Sequence, residues 1–250
     1  MKSKCFAKAA TMAAAAVAIG LVMISAGSSV VRADDGPNDP RIQIGLAIAP
    51  VPLNLVGKNI ALVGWGSYLV NAVGDCNGCH TSGGPPNFNY VAGRNPYFGQ
   101  PKKVDPTVYL SGGSSFGQVG TPTGPSMYAG PSIIARNLTP DKTGLPEGGH
   151  TLGQFKAIMR LGIDYDHLHP TCTAAQLTQI EMNIMPFPVC IPTSPGNTAD
   201  GSLLQVMPWP TFANMTDGDL DAIYAYLSAI PCIEGPTDPT NPLHNDCGTN

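Results

Sequence analysis

The chain has 250 residues, with 17 acidic and 13 basic side chains, 12% charged residues in all, 29 glycines and 25 prolines. A chain this poor in charge, and net negative, is a bad electrostatic match for a phosphate backbone, which argues against nucleic acid as a partner. Glycine and proline at this level argue against long helices and predict turns and loops, and the length allows one sizeable domain or two small ones.

From the amino terminus, Lys2, Lys4 and Lys8 precede an almost unbroken apolar run from Ala9 to Ala26. Val31-Arg32-Ala33 then offers small or compact residues where a signal peptidase reads, followed by polar Asp34-Asp35-Gly36-Pro37. The pattern predicts a secretory signal peptide over 1–33, cleaved after Ala33, with an uncleaved membrane anchor as the alternative. Its removal takes four basic residues and no acidic one, leaving nine basic against 17 acidic over 34–250, a formal charge near −8.

Residues 34–57 form a Pro-punctuated extension: Pro37, Pro40, Pro50 and Pro52 preclude a long helix, and the run Ile42 to Leu55 is expected along the outside of the domain. The first convincing helix spans about 59–73, with Ile60, Val63, Tyr68 and Leu69 roughly on one face. Gly64 and Gly66 weaken it by propensity but would let another helix approach closely. This helix runs into Cys76-Asn77-Gly78-Cys79-His80, a C-x-x-C-H sequence. That spacing is the attachment signature for c-type haem: the two thiols form thioethers to the porphyrin vinyl groups and the histidine is the proximal iron ligand.

From 82 to 131 glycine and proline dominate, which predicts an extended loop with a short hairpin near 109–116. A second helix is expected over 152–161, with Thr151 near its cap and Phe155, Ile158 and Met159 turned inward. Asp164-Tyr165-Asp166-His167-Leu168-His169 reads as a polar loop; a metal cluster, or His167 as a distal haem ligand, is the sharper alternative. Residues 171–205 read as an insertion with a short helix near 174–182. The last helix is the clearest: Thr216-Asp217-Gly218-Asp219 resembles a capping box, Leu220, Ile223, Tyr224 and Leu227 make an apolar stripe, and Pro231 stops it. Trp65 and Trp209 are expected as packing residues.

Seven cysteines divide into Cys5 in the leader, the Cys76–Cys79 pair, and Cys172, Cys190, Cys232 and Cys247. An even remainder in an oxidising compartment predicts two disulfides, Cys172–Cys190 and Cys232–Cys247, each closing a local loop. Two methionines, Met185 and Met207, stand before proline, which keeps the preceding backbone extended so that the sulfur can project.

A helix entering C-x-x-C-H, a loop-rich middle, and Met207-Pro208-Trp209 before a capped final helix together resemble a class I c-type cytochrome. More narrowly the chain is similar to bacterial periplasmic cytochrome c domains that occur alone or as subunits of periplasmic dehydrogenases. The likeness lies at Gly66-Ser67-Tyr68-Leu69-Val70, Cys76 to Thr81, Arg136-Asn137-Leu138-Thr139-Pro140-Asp141, and Ala222-Ile223-Tyr224-Ala225-Tyr226-Leu227. It covers roughly 58–231; the insertion at 171–205 and the tail 232–250 depart from it, and one C-x-x-C-H is present where many relatives carry two or three.

The resemblance implies an all-α cytochrome c-like fold of a few short helices around one covalent haem c. It implies a non-catalytic, periplasmic one-electron carrier between redox partner proteins, with Cys76, Cys79 and His80 holding the group. Met207 is the implied distal ligand, with Met185 and then His167 behind it. Arg136 and Asn137 are implied along the haem edge, where the guanidinium could pair with a propionate, although Asn, Thr, Pro and Asp also make an ordinary turn. A subunit of a membrane-associated dehydrogenase or oxidase is the alternative role, and a haem enzyme or gas sensor with an open sixth position is a more distant one.

Overall fold

Asp39 and Pro40 start the first helix. The Asp39 carboxylate accepts from the Arg41 backbone N–H at 2.8 Å, and Pro40 stands in the first turn, where a missing N–H costs nothing. Helix α1 (Pro40–Ile48) therefore forms inside the proline-marked extension. Ile42 and Val51 are buried, so this segment belongs to the core rather than to its outside; Ile44 and Ile48 face outward. The computed structural model describes residues 39–81, 89–118, 132–165, 203, 204, 206–235, 247 and 248. The expected leader, His167, His169, Cys172, Cys190, Met185 and the helix near 174–182 lie outside them.

Asn59 caps the second helix by accepting from Ala61 N and Leu62 N. Helix α2 (Ile60–Tyr68) then widens into a π turn at Leu69–Val73, so the helical stretch matches the expected span. Its glycines do what their size permits. A Cβ at Gly64 would lie 2.7 Å from both the Ile42 side chain and the Ile42 carbonyl oxygen, and one at Gly66 would lie 1.9 Å from the Ala222 carbonyl oxygen. Both neighbouring helices approach backbone to backbone, and alanine at position 66 would push them apart.

Cys76–Cys79 forms the single turn α3. The expected hairpin near 109–116 is displaced: β1 (Ser115–Gln118) pairs antiparallel with β2 (Ser132–Ile134), while Tyr109 and Leu110 lie fully buried in the loop before it. Two full capping boxes set the remaining long helices, Thr151 with Gln154 for α4 (Leu152–Leu161) and Thr216 with Asp219 for α6 (Asp217–Leu227), each cap worth about 1 kcal/mol. Between them lies the short turn α5 (Trp209–Phe212). The fold is helix-rich with a single two-stranded sheet among the described residues.

The core joins Val63, Val70, Leu110, Phe155, Leu220 and Leu227, and burying each such side chain stabilises the fold by about 1.5–3 kcal/mol. Two buried phenols, Tyr109 and Tyr226, meet hydroxyl to hydroxyl at 2.9 Å; Tyr109 donates to Asn71 Oδ1 at 2.5 Å and Asn71 Nδ2 donates to Tyr226 at 3.2 Å. Trp65 packs as expected, donating to Asp219 Oδ1 at 3.1 Å beneath the Arg41 guanidinium. Cys232 and Cys247 are joined by a disulfide across a separation of 15 residues, which constrains the unfolded chain by about 3 kcal/mol.

Candidate functional site

The π turn Leu69–Val73 and the left-handed Asp75 (φ 44°) redirect the chain from α2 into Cys76. Every turn of the next six residues is tied to the loop 108–114. Asn77 Oδ1 accepts from the buried Leu110 N–H at 3.0 Å, Gly112 N–H donates to the His80 carbonyl at 2.9 Å, and Thr81 Oγ1 donates to the Val108 carbonyl at 3.1 Å. Ser114 Oγ donates to the Thr81 carbonyl as well. Leu110 holds φ 55°, unusual for a branched side chain, and Asn77 is the side chain that receives its N–H. Among the described non-glycine residues only Asp75, Leu110 and Glu147 have positive φ, and all three lie on or against this site. Strained backbone of this kind persists where the surroundings over-determine it.

The segment forms one wall of a cavity of about 1360 Å3, counting its mouth, which opens to solvent. Cys76, Cys79 and His80 line it, and so do Met207 and Arg136. Leu69, Val70, Ile134, Leu138, Phe155 and Ile158 are among its apolar lining. Met159 and Met215 line it too, so three methionines share the cavity.

The histidine has a defined tautomer. His80 Nδ1 stands 2.8 Å from the Arg136 carbonyl oxygen, which can only accept, so Nδ1 carries the proton and Nε2 keeps its lone pair. Burial disfavours the imidazolium and lowers the His80 pKa; the bond to Arg136 opposes this and the Arg136 charge adds to it. A neutral imidazole with Nδ1 anchored on a carbonyl is the form that ligates iron. Burial also pushes the Cys76 thiol up to about 12, helped by the neighbouring Asp75 carboxylate, and raises Cys79 for the same two reasons. Both sulfurs are therefore neutral thiols at physiological pH; Cys76 is half-buried and Cys79 exposed.

Arg136 reaches the cavity, but with partners that sequence reasoning missed. Its guanidinium lies 3.5 Å from Glu147 Oε1 and 3.2 Å from Asp164 Oδ1, and all three side chains are under a tenth exposed. His150, also buried, sits 3.4 Å from the same guanidinium, and its Nδ1 donates to the Glu147 carbonyl at 2.6 Å. Two carboxylates thus already share Arg136, which corrects the simple expectation of a guanidinium waiting for a propionate. Their spacing in sequence, 136, 147 and 164, carries no local signal that would have joined them.

Asn137 is fully buried and does not line the cavity. Its Oδ1 accepts from Thr139 N and Oγ1 at 2.8 Å each, and its Nδ2 donates to the Ile233 carbonyl at 2.7 Å. It clamps the tail to the 136–141 turn, so the ordinary-turn reading of this asparagine describes its position and the haem-edge expectation does not. Trp209 anchors the methionine segment: its indole N–H donates to the Leu204 carbonyl at 3.2 Å, and its ring fills the space beside Gly162, the left-handed residue ending α4.

Among the described residues no group of three or more His, Cys, Asp or Glu side chains is disposed to hold a bare metal ion, and no helix is long and apolar enough to cross a membrane. No family model, curated protein or solved structure matches the chain.

Proposed function

We propose that this protein is an exported single-haem c-type cytochrome of the class I kind, an electron carrier rather than an enzyme. The observation that carries the reading is the convergence of the C-x-x-C-H side chains and Met207, remote in sequence, on one apolar cavity. The donor set fits the group: two neutral thiols for thioether bonds, an imidazole with Nε2 free, and thioether sulfur from methionine. Cys76 and Cys79 would hold the porphyrin, His80 would be the proximal ligand and Met207 the distal one.

Bound there, a haem would supply one-electron redox chemistry, with Cys76, Cys79, His80 and Met207 as the residues that would hold it. The chain's own residues set the conditions. The Arg136 carbonyl orients His80, the Asn77 and Gly112 contacts fix the attachment turn, and the apolar wall excludes water. Such a role would require no general base and no nucleophile from the chain. The signal-like leader supports export to the periplasm, where thiols are attached to haem and disulfides persist.

The test is the visible spectrum of the purified protein, oxidised and reduced, with haem staining after denaturing electrophoresis. Haem that survives denaturation and cycles reversibly is expected. A protein lacking covalent haem, or one whose reduced form readily binds carbon monoxide while failing to cycle, would overturn the reading.

A further inference from the structure

Just beyond the attachment turn, residues 89–105 fold back on themselves. Val91 N–H donates to the Lys103 carbonyl, Lys103 N–H to the Arg94 carbonyl, and Asp105 N–H to the Asn89 carbonyl, at 2.9–3.1 Å. At the tip Asn95 Oδ1 caps the turn Pro96–Phe98 by accepting from Tyr97 N–H, and the Asn95 N–H is in turn received by Gln100 Oε1 at 2.9 Å. This closed turn pushes two aromatic rings outward: Tyr97 is 64% exposed and Phe98 71%. Such rings are costly to leave in water and are enriched at contact surfaces.

The same loop reverses the charge of its surroundings. Arg94, Lys102 and Lys103 are all exposed and stand in no ion pair with the described residues, and the only carboxylate in the loop, Asp105, accepts from Thr107. The loop is therefore near +2, on a chain that over 34–250 is near −8. Four cations elsewhere stand in ion pairs: Lys156 with Asp217 and Asp221, Arg160 with Asp217, Arg41 with Asp39, and Arg136 with Glu147 and Asp164.

The loop also sits beside the attachment turn. Asn89 Nδ2 donates to Thr81 Oγ1 at 2.9 Å, one residue past His80. Cys79 is exposed on the same segment.

We propose that the loop 89–105 is the docking surface on which the carrier receives an acidic face of a redox partner protein, the three cations steering the approach and the two rings packing on contact. This rests on the haem reading above and adds the chemistry of the partner. An anionic bilayer would also attract cations and aromatic rings. It is disfavoured because an extended negative surface repels the rest of this acidic chain, whereas a partner's acidic patch can match the loop alone.

The experiment follows oxidation of the reduced holoprotein by hexacyanoferrate(III) across ionic strength, one electron passing from the ferrous iron to give hexacyanoferrate(II). Net charge alone predicts repulsion and a rate that rises with salt. Local steering predicts the opposite, a rate that falls with salt, and the Arg94→Glu, Lys102→Glu, Lys103→Glu triple variant should be at least ~10-fold slower at low salt with its slope reversed. Soluble poly-L-glutamate should bind the native protein and protect it from the oxidant, and should bind the triple variant and a Tyr97→Ser, Phe98→Ser variant more weakly. A native rate that rises with salt, or a triple variant that behaves as native, overturns the proposal. So does preferential binding to phosphatidylglycerol vesicles over poly-L-glutamate, which would assign the loop to a membrane. If the purified protein carries no covalent haem, the carrier reading falls by itself, while poly-L-glutamate binding by native and variant chains still decides whether the loop receives acidic polypeptide.

Discussion

Cys76, Cys79 and His80 occupy a segment held by polar bonds on each side: Asn77 to Leu110, His80 to Gly112 and Arg136, Thr81 to Val108, Ser114 and Asn89. Among the described residues, the segment of Met207 is held by backbone bonds and by one ring. Trp209 bonds to the Leu204 carbonyl and packs on Gly162, while Leu204 N–H reaches the Gly162 carbonyl at 2.8 Å. The difference is chemical in origin. On the haem reading, two thioether bonds and a following imidazole would tolerate one register only, and directional hydrogen bonds hold the turn in a fixed register. A methionine sulfur is soft and sits on three rotatable bonds, so its wall needs only to be brought near. The first wall should therefore fail in an all-or-none way when its chemistry is removed, and the second should fail in graded ways.

The largest expected effect is on the first wall. Cys76→Ser with Cys79→Ser should abolish haem that survives denaturing electrophoresis, while far-ultraviolet circular dichroism reports whether the chain still folds. Retention of covalent haem would break the assignment of this wall. On the second wall, Met207→Ala should remove the weak sulfur-to-iron absorption at the red edge of the spectrum, lower the potential and admit carbon monoxide to the reduced protein. Met159→Leu and Met215→Leu line the same cavity and should leave that band intact; loss of the band in either of them, with Met207→Ala unaffected, would move the ligand.

Next comes the charge cluster that joins the first wall to the cavity floor. Arg136→Met would strand Glu147 and Asp164 in a site where both are under a tenth exposed, which should destabilise the protein by about 3–5 kcal/mol in urea titration. A loss below ~1 kcal/mol would mean that the guanidinium is not the partner these carboxylates depend on.

The smallest effects sharpen the comparison most, because they are alike in size and differ in what they reach. Asn77→Ala removes the acceptor of the buried Leu110 N–H, and Gly162→Ala places a Cβ within 2.4 Å of the Trp209 ring at a left-handed backbone position. Each should destabilise by about 1–3 kcal/mol. Only Gly162→Ala should weaken the sulfur-to-iron band, since only it displaces the ring that anchors the methionine segment. If Asn77→Ala shifts that band as much, the two walls are mechanically coupled and the distinction drawn here is wrong.

Much of this was legible in the sequence because the signals are local. Thr151 and Thr216 each meet an acceptor three residues on, within a single turn, so the caps could be read without knowing the fold. The helix entering Cys76, the close approach allowed by Gly64 and Gly66, and the Cys232–Cys247 bridge were accessible in the same way. Pro40 reads in the sequence only as one of the prolines that bar a long helix; with Asp39 capping ahead of it, it also starts the nine-residue α1, which the sequence reading does not place. The C-x-x-C-H spacing also determined which side chains could carry chemistry, because that register is a property of five consecutive residues.

The tertiary structure alone decided what surrounds them. Nothing local makes Leu110 left-handed or fully buried; that follows from the N–H being received by an asparagine 33 residues away. Glu147 and Asp164 became partners of Arg136, and Asn137 became a clamp on Ile233 rather than a contact at the cavity, through chain crossings no window of sequence contains. The methionines show the division most plainly. A sequence can single out Met185 and Met207 by the proline after each, and the resemblance ranks Met207 first by its place before the capped final helix, but that Met159, Met207 and Met215 share one cavity depends on where three separate elements cross, and crossing is set by the packing of buried faces rather than by the identity of any one residue.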